Sequence, residues 1–179
     1  MRKSGPWVNE RVADAPPFGN GASPLWCYGS RVIIRAGDEV WASVMEPVAD
    51  AVPLCHLRAR VLRRPEGGDW EEVWSTPGAV EREPCPLVLM PDGRIILTVN
   101  QALHPWEADA PAPRGYRTEP CLYVFAPSDR KAPPRKVVLP WDRERVFTEH
   151  SYRGVAVCPE TGHLFLSWQT QVAAPGGGE

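Results

Sequence analysis

A tight hairpin that occurs three times constrains this chain more than any other feature. Residues 31–45, 86–100 and 154–169 each read as two short apolar strands around a turn built on Gly37-Asp38, Asp92-Gly93 or Pro159-Glu-Thr-Gly162. Aligned on the turns, the second strands agree column by column: Val40, Ile95 and Leu164; Ala42, Leu97 and Leu166; Ser43, Thr98 and Ser167. Side chains alternate across a strand. The sets 40/42/44, 95/97/99 and 164/166/168 therefore mark one apolar face of successive sheets. A unit recurring at a period of roughly 55–70 residues cannot bury such a face alone and must stack on its neighbours.

Twenty-one prolines in 179 residues exclude long helices and fit short strands joined by loops. Strands are expected near 31–35, 39–45, 56–63, 70–75, 86–90, 94–100, 121–125, 135–139, 154–158 and 163–169. Alternation over 56–62 sets His56, Arg58 and Arg60 opposite Leu57, Ala59 and Val61, and the polar trio reads as a solvated face. Hairpin plus hairpin makes four strands per unit, the composition of a β-propeller blade. The units run about 25–80, 81–145 and 146–170, between a Pro/Gly-rich leading segment (1–24) and a flexible tail (171–179). The third unit stops after one hairpin. The fold expectation is all-β: a partial propeller of about two and a half four-stranded blades, where closed propellers have about four to eight. The missing blades would come from the rest of a longer chain.

Two segments resemble the sialidase-like propellers. Arg64-Pro-Glu-Gly-Gly-Asp-Trp70 is similar to the Ser-x-Asp-x-Gly-x-Thr-Trp turn, the Asp-box (BNR repeat) of that family, in its Gly pair and following Trp; the Ser is absent and Glu66 stands where the family has Asp. Tyr152-Arg153-Gly-Val looks like the family's Tyr/Phe-Arg-Ile-Pro segment, with Gly154-Val155 in place of Ile-Pro. The resemblance covers about residues 25–170. It implies a carbohydrate or acidic small-molecule ligand, an arginine (Arg153) for its carboxylate, and, in the catalytic members, glycoside hydrolysis with a Tyr nucleophile.

The repeat register itself points to a site. The starts of the innermost strands of a propeller converge on its axis, and carrying the alignment back sets residues 81–85 beside 149–153 and 26–30. Trp26, Tyr28, Glu81, Arg82, Glu83, Glu149, His150, Tyr152 and Arg153 are the expected ligand-facing set. Guanidinium groups suit a carboxylate, aromatic rings suit a sugar face, and paired carboxylates suit acid–base work. Tyr152, Glu149 and Glu83 are the catalytic candidates if the module is an enzyme. The same residues at strand ends also suit ion pairs between sheets. The long stretch 101–117, with His104, Trp106 and Tyr116, reads as a further loop.

Other classes find little footing. A formal net charge of -2 gives no electrostatic case for nucleic acid. No apolar stretch has membrane-spanning length. No charged-then-apolar leader opens the sequence, so the chain as written reads as soluble and cytoplasmic, with export of a longer parent left open. Five cysteines, an odd number without CxxC spacing, read as small buried packing residues rather than a metal site. No phosphate-cradling glycine loop occurs, and no cofactor is expected. Eight tryptophans read first as wedges between sheets. Two functions remain: a glycan-binding or glycan-processing module, and a non-catalytic interaction scaffold.

Overall fold

The computed structural model describes residues 10–14, 16–23, 26, 30–51, 54–105, 116–141, 147–150 and 152–169. Within them the chain is all-β, with no helix. The first sheet is a meander of β1 (Ile33–Ala36), β2 (Glu39–Pro47), β3 (Leu57–Pro65) and β4 (Glu71–Ser75), antiparallel and in chain order. The second repeats that order with β5 (Leu87–Leu89), β6 (Ile95–Pro105), β7 (Tyr116–Phe125) and β8 (Arg135–Val138), while the two-residue β9 (Phe147–Thr148) also pairs with β7. The third is the hairpin of β10 (Arg153–Val157) and β11 (Leu164–Trp168). No sheet closes on itself.

Each sheet buries one face on the next. Trp41, Met45, Leu57, Ala59 and Val61 of the first meet Leu87, Ile95, Leu97, Val99, Cys121, Tyr123 and Phe125 of the second. Trp41 packs edge-on to Phe125 at 5.7 Å, and Trp74 lies 4.5 Å from Tyr123, so these tryptophans act as wedges between sheets. The opposite face of the second sheet, with Val88, Met90, Ile96, Leu122 and Val124, carries Val155, Val157, Leu164, Leu166 and Trp168 of the third.

The repeat columns thus point the same way in each unit, towards the preceding sheet. Their burial differs. Ala42, Ile95, Leu97 and Val99 are fully buried, whereas Val40, Val44, Leu164, Leu166 and Trp168 are half-buried. Coverage differs too: among the described residues no sheet precedes the first, where Ala42 of the column is nonetheless buried, and the third sheet has two strands.

The hairpin turns share a conformation. Gly37, Gly93 and Gly162 have φ of 65°, 85° and 71°, the left-handed region that a side chain resists. Near two of these turns, Arg130 donates from Nη1 to the Glu39 carboxylate (3.0 Å) and from Nη2 to the Gly93 carbonyl (3.2 Å), tying the first sheet to the second. Glu39 is also held by Arg63, and these hydrogen bonds pull its carboxyl down to about 2.

Every expected strand is present, with two corrections. The stretch 101–117 is not a loop throughout: β6 runs on to Pro105 and β7 begins at Tyr116, five residues before the expected start. Pro120 lies within β7, and its ring nitrogen faces the gap between the ends of β8 and β9, where no ladder bond is lost. The short β9 had no periodic signal. On the outer face of β3, Arg58 and Arg60 pair with Glu46 and Glu72, and His56 Nε2 lies 2.5 Å from the Phe18 carbonyl oxygen.

Leu97 is fully shielded from solvent between two sheets. Leu97→Ala should lower the unfolding free energy by about 2–5 kcal/mol. Urea denaturation checks this, with Val138→Ala at an exposed β8 position expected within about 0.5 kcal/mol of the parent.

Candidate functional site

The segment from Thr76 to Pro86 leaves the first sheet and enters the second, and its backbone is claimed by both. Leu57 N donates to Glu81 O (3.0 Å), Val80 N to Leu57 O (2.9 Å), and Ala102 N to Val80 O (2.8 Å). β5, which follows this segment, contacts both β1 and β10. Residues 81–83 and 149–153 therefore meet.

Their meeting is ionic. Arg153 Nη2 lies 3.0 Å from Glu81 Oε1 and also donates to Pro84 O at 2.9 Å, with both side chains buried. The Glu81 carboxylate accepts the Asn100 backbone N–H and the Cys85 thiol as well. Burial pushes the Glu81 carboxyl above its ordinary range against the pull of Arg153. Arg153 is raised: burial opposes its charge, and the neighbouring Glu81, Cys85 and Glu83 outweigh that.

The second group centres on His150. Arg82 Nη1 sits 2.6 and 2.7 Å from its two ring nitrogens, Glu149 Oε1 is 3.6 Å from Nε2, and Glu83 Oε1 is 4.0 Å from Nδ1. Burial and then Arg82 lower the imidazole, which favours a neutral ring able to accept the guanidinium N–H. Glu149 is fixed in turn by the Tyr116 backbone N–H at 2.8 Å.

Above the charges lies an aromatic rim. Trp26 stands 6.4 Å edge-on from Tyr152, and Tyr152 6.0 Å from His150. Tyr152 is exposed and Trp26 and His150 half-exposed, whereas Glu81, Arg82, Glu83, Glu149 and Arg153 are all buried. Of the expected set, only Tyr28 lies outside the described residues, as do Trp106 and Cys27 of the other readings. Tyr116 is buried at the start of β7 rather than presented on a loop. Cys55, Cys85 and Cys121 are free and buried, and burial raises the Cys121 thiol to about 12, while Cys158 is half-exposed. Among the described residues no three His, Cys, Asp or Glu side chains are grouped to hold a metal ion.

Two residues escaped the sequence reading. Buried Asn20 donates from Nδ2 to Arg82 O (3.0 Å) and Leu54 O (2.9 Å), while its own carbonyl accepts from Arg82 Nε (3.3 Å). The adjacent Gly21 has φ 80°, and a Cβ there would stand 3.4 Å from Arg82 Nη2. Asn100, buried at the end of the β6 repeat, donates to Thr148 O at 2.8 Å. It shares a face of β6 with Ile96 and Thr98, and a polar residue at the end of the repeat was its available signal.

Comparison with known families, curated proteins and solved structures found no match.

Two outcomes test this electrostatic account. Arg153→Ala strands a buried carboxylate and should cost about 3–5 kcal/mol near neutral pH. A carboxyl whose folded pKa lies above the unfolded value favours folding at low pH and loses that contribution as pH rises through the folded value. The deficit of the variant should therefore shrink as pH falls through the raised folded value of Glu81 and be smallest below the unfolded value of about 4.3; a deficit equal at pH 4 and 7 in urea denaturation refutes the assignment. His150 works in the opposite sense, because its folded pKa is lowered. Its contribution is present above about 6.5 and is lost as pH falls towards the folded value. His150→Gln should flatten the stability–pH curve between about pH 7 and 5, read by the same denaturation series.

Proposed function

We propose that this chain is part of a sialidase-like propeller whose rim of Trp26, His150 and Tyr152 binds a carbohydrate. The observation that carries the reading is the convergence of the starts of β5 and β10: five buried charged side chains beneath three accessible rings. Rigidly supported aromatic groups above a polar floor suit a sugar, which offers an apolar face and a ring of hydroxyls. The three-sheet stack and the likeness of 64–70 and 152–155 to family segments support the architectural half of the reading.

Binding is favoured over hydrolysis. A glycosidase needs two carboxyl groups facing the scissile bond, and Glu81, Glu83 and Glu149 are all below the surface. In this reading Arg153 is a structural counterion to Glu81 rather than the ligand's carboxylate clamp, and Tyr152 is a stacking ring rather than a nucleophile. One observation favours the interaction scaffold instead: Arg153 meets Glu81, Arg82 meets His150 and Glu149 accepts the Tyr116 N–H, all within the chain.

Glycan-array binding together with an aryl-glycoside panel separates these readings. We expect binding without turnover, and Trp26→Ala and Tyr152→Ala should each weaken it about tenfold or more. Turnover would make the module a glycosidase. Neither binding nor turnover would leave the scaffold.

A further inference from the structure

We propose that the free edge of β11 accepts an extended strand from a partner polypeptide, with apolar side chains at alternate positions. Cys158 N donates to His163 O and Gln169 N to Tyr152 O, both at the ends of the hairpin ladder. Odd-numbered residues of β11 therefore face β10, and the N–H and C=O groups of Leu164, Leu166 and Trp168 point to the other edge. Among the described residues no strand pairs with that edge.

The equivalent strands show what belongs there. β2 aligns with β11, and its second edge is paired along nine residues by β3; β6 is paired in the same way by β7. The outward face of the hairpin is uncovered as well, since among the described residues no further sheet packs on it. Trp41 and Ile96 occupy the column of Phe165; the first two are buried between sheets, whereas Phe165 is 60% exposed beside a shallow groove of about 350 Å³ that also takes in Ser30, Ala156 and Ser167.

Edge chemistry separates β11 from the true outer edges. β4 presents Glu71 and Glu72, and β8 presents Arg135 and Lys136, charges that discourage strand addition. β11, Leu-Phe-Leu-Ser-Trp, has none. A strand like β7 fits best. In the β6 register it would set residues equivalent to Phe125, Tyr123 and Cys121 against Leu164, Leu166 and Trp168, over the second sheet.

This goes beyond the proposed reading and rests on the equivalence of the hairpins, not on ligand binding, so failure of the glycan assays leaves it standing. The test is hydrogen exchange on the whole chain, with and without a synthetic peptide of the β7 sequence (116–125) carrying Cys121→Ser. The Leu164, Leu166 and Trp168 amides should exchange freely alone and slow by on the order of tenfold or more with peptide. A control peptide with Cys121→Pro and Tyr123→Pro should protect nothing. Phe165→Asp, at an exposed position, should weaken the peptide about two- to fivefold, the worth of one cross-strand pair. Protection of those amides in the chain alone, whether by its own residues or by self-association, overturns the proposal, as does equal exchange with and without peptide.

Discussion

The meeting of the three sheets depends on where Glu81 is held. Its backbone bridges to Leu57 in the first sheet, its carboxylate accepts the Asn100 N–H of the second, and its counterion Arg153 opens the third. One residue thus fixes three sheets relative to one another. Such a buried pair adds little net stability, because removing both charges from water costs about what their attraction returns. What it supplies here is discrimination. A one-residue slip of β5 or β10 would leave a charge buried without its partner, a far larger penalty than the loss of a few apolar contacts. The hydrophobic columns bring the sheets together; the ion pair selects the register in which they meet.

The two ends of the stack use charge differently. At the turn end, Arg63, Arg130 and Glu39 remain partly open to solvent, and the arginine hydrogen bonds keep the carboxylate ionised down to about 2. That cluster is a latch whose charges are never in doubt. At the other end burial dominates: it raises Glu81 and lowers His150, bringing both closer to their neutral forms. Groups poised in this way respond to whatever charge or dipole approaches them. Of the two only His150 is partly accessible, and it stands 6.0 Å from the Tyr152 ring.

Much of the fold was legible because the repeat is strong where packing is strong. Leu97 and its column could be placed on a buried face from alternation alone, and the left-handed turn glycines marked each hairpin. Propensity failed where tertiary context supplied what the local sequence lacked. Pro120 is tolerated within β7 because its missing donor faces a gap between two short strands, a fact of topology rather than of sequence. Phe147-Thr148 is too short for any period and is a strand only because β7 offers an edge. The candidate site was legible as a set of positions, since the register that aligns 81–85 with 149–153 also brings them together. Its internal order was not. Asn20 reaches Arg82 across 62 residues of sequence, and nothing local to Gly19-Asn-Gly21 announces that bond.

Burial of the charged set changes what the residue types mean. Read from sequence, Arg153 next to a Tyr suggests a clamp for a ligand carboxylate; in the fold, the carboxylate it meets is Glu81. The same guanidinium chemistry operates in both cases, and what differs is the partner that reaches it first. An internal carboxylate is always present at contact distance, so an external one could displace it only by leaving Glu81 buried and uncompensated. Tyr152, Trp26 and His150 are at least partly exposed and carry no such penalty. In the proposed reading the three rings meet the ligand, and the ion pairs are internal to the fold.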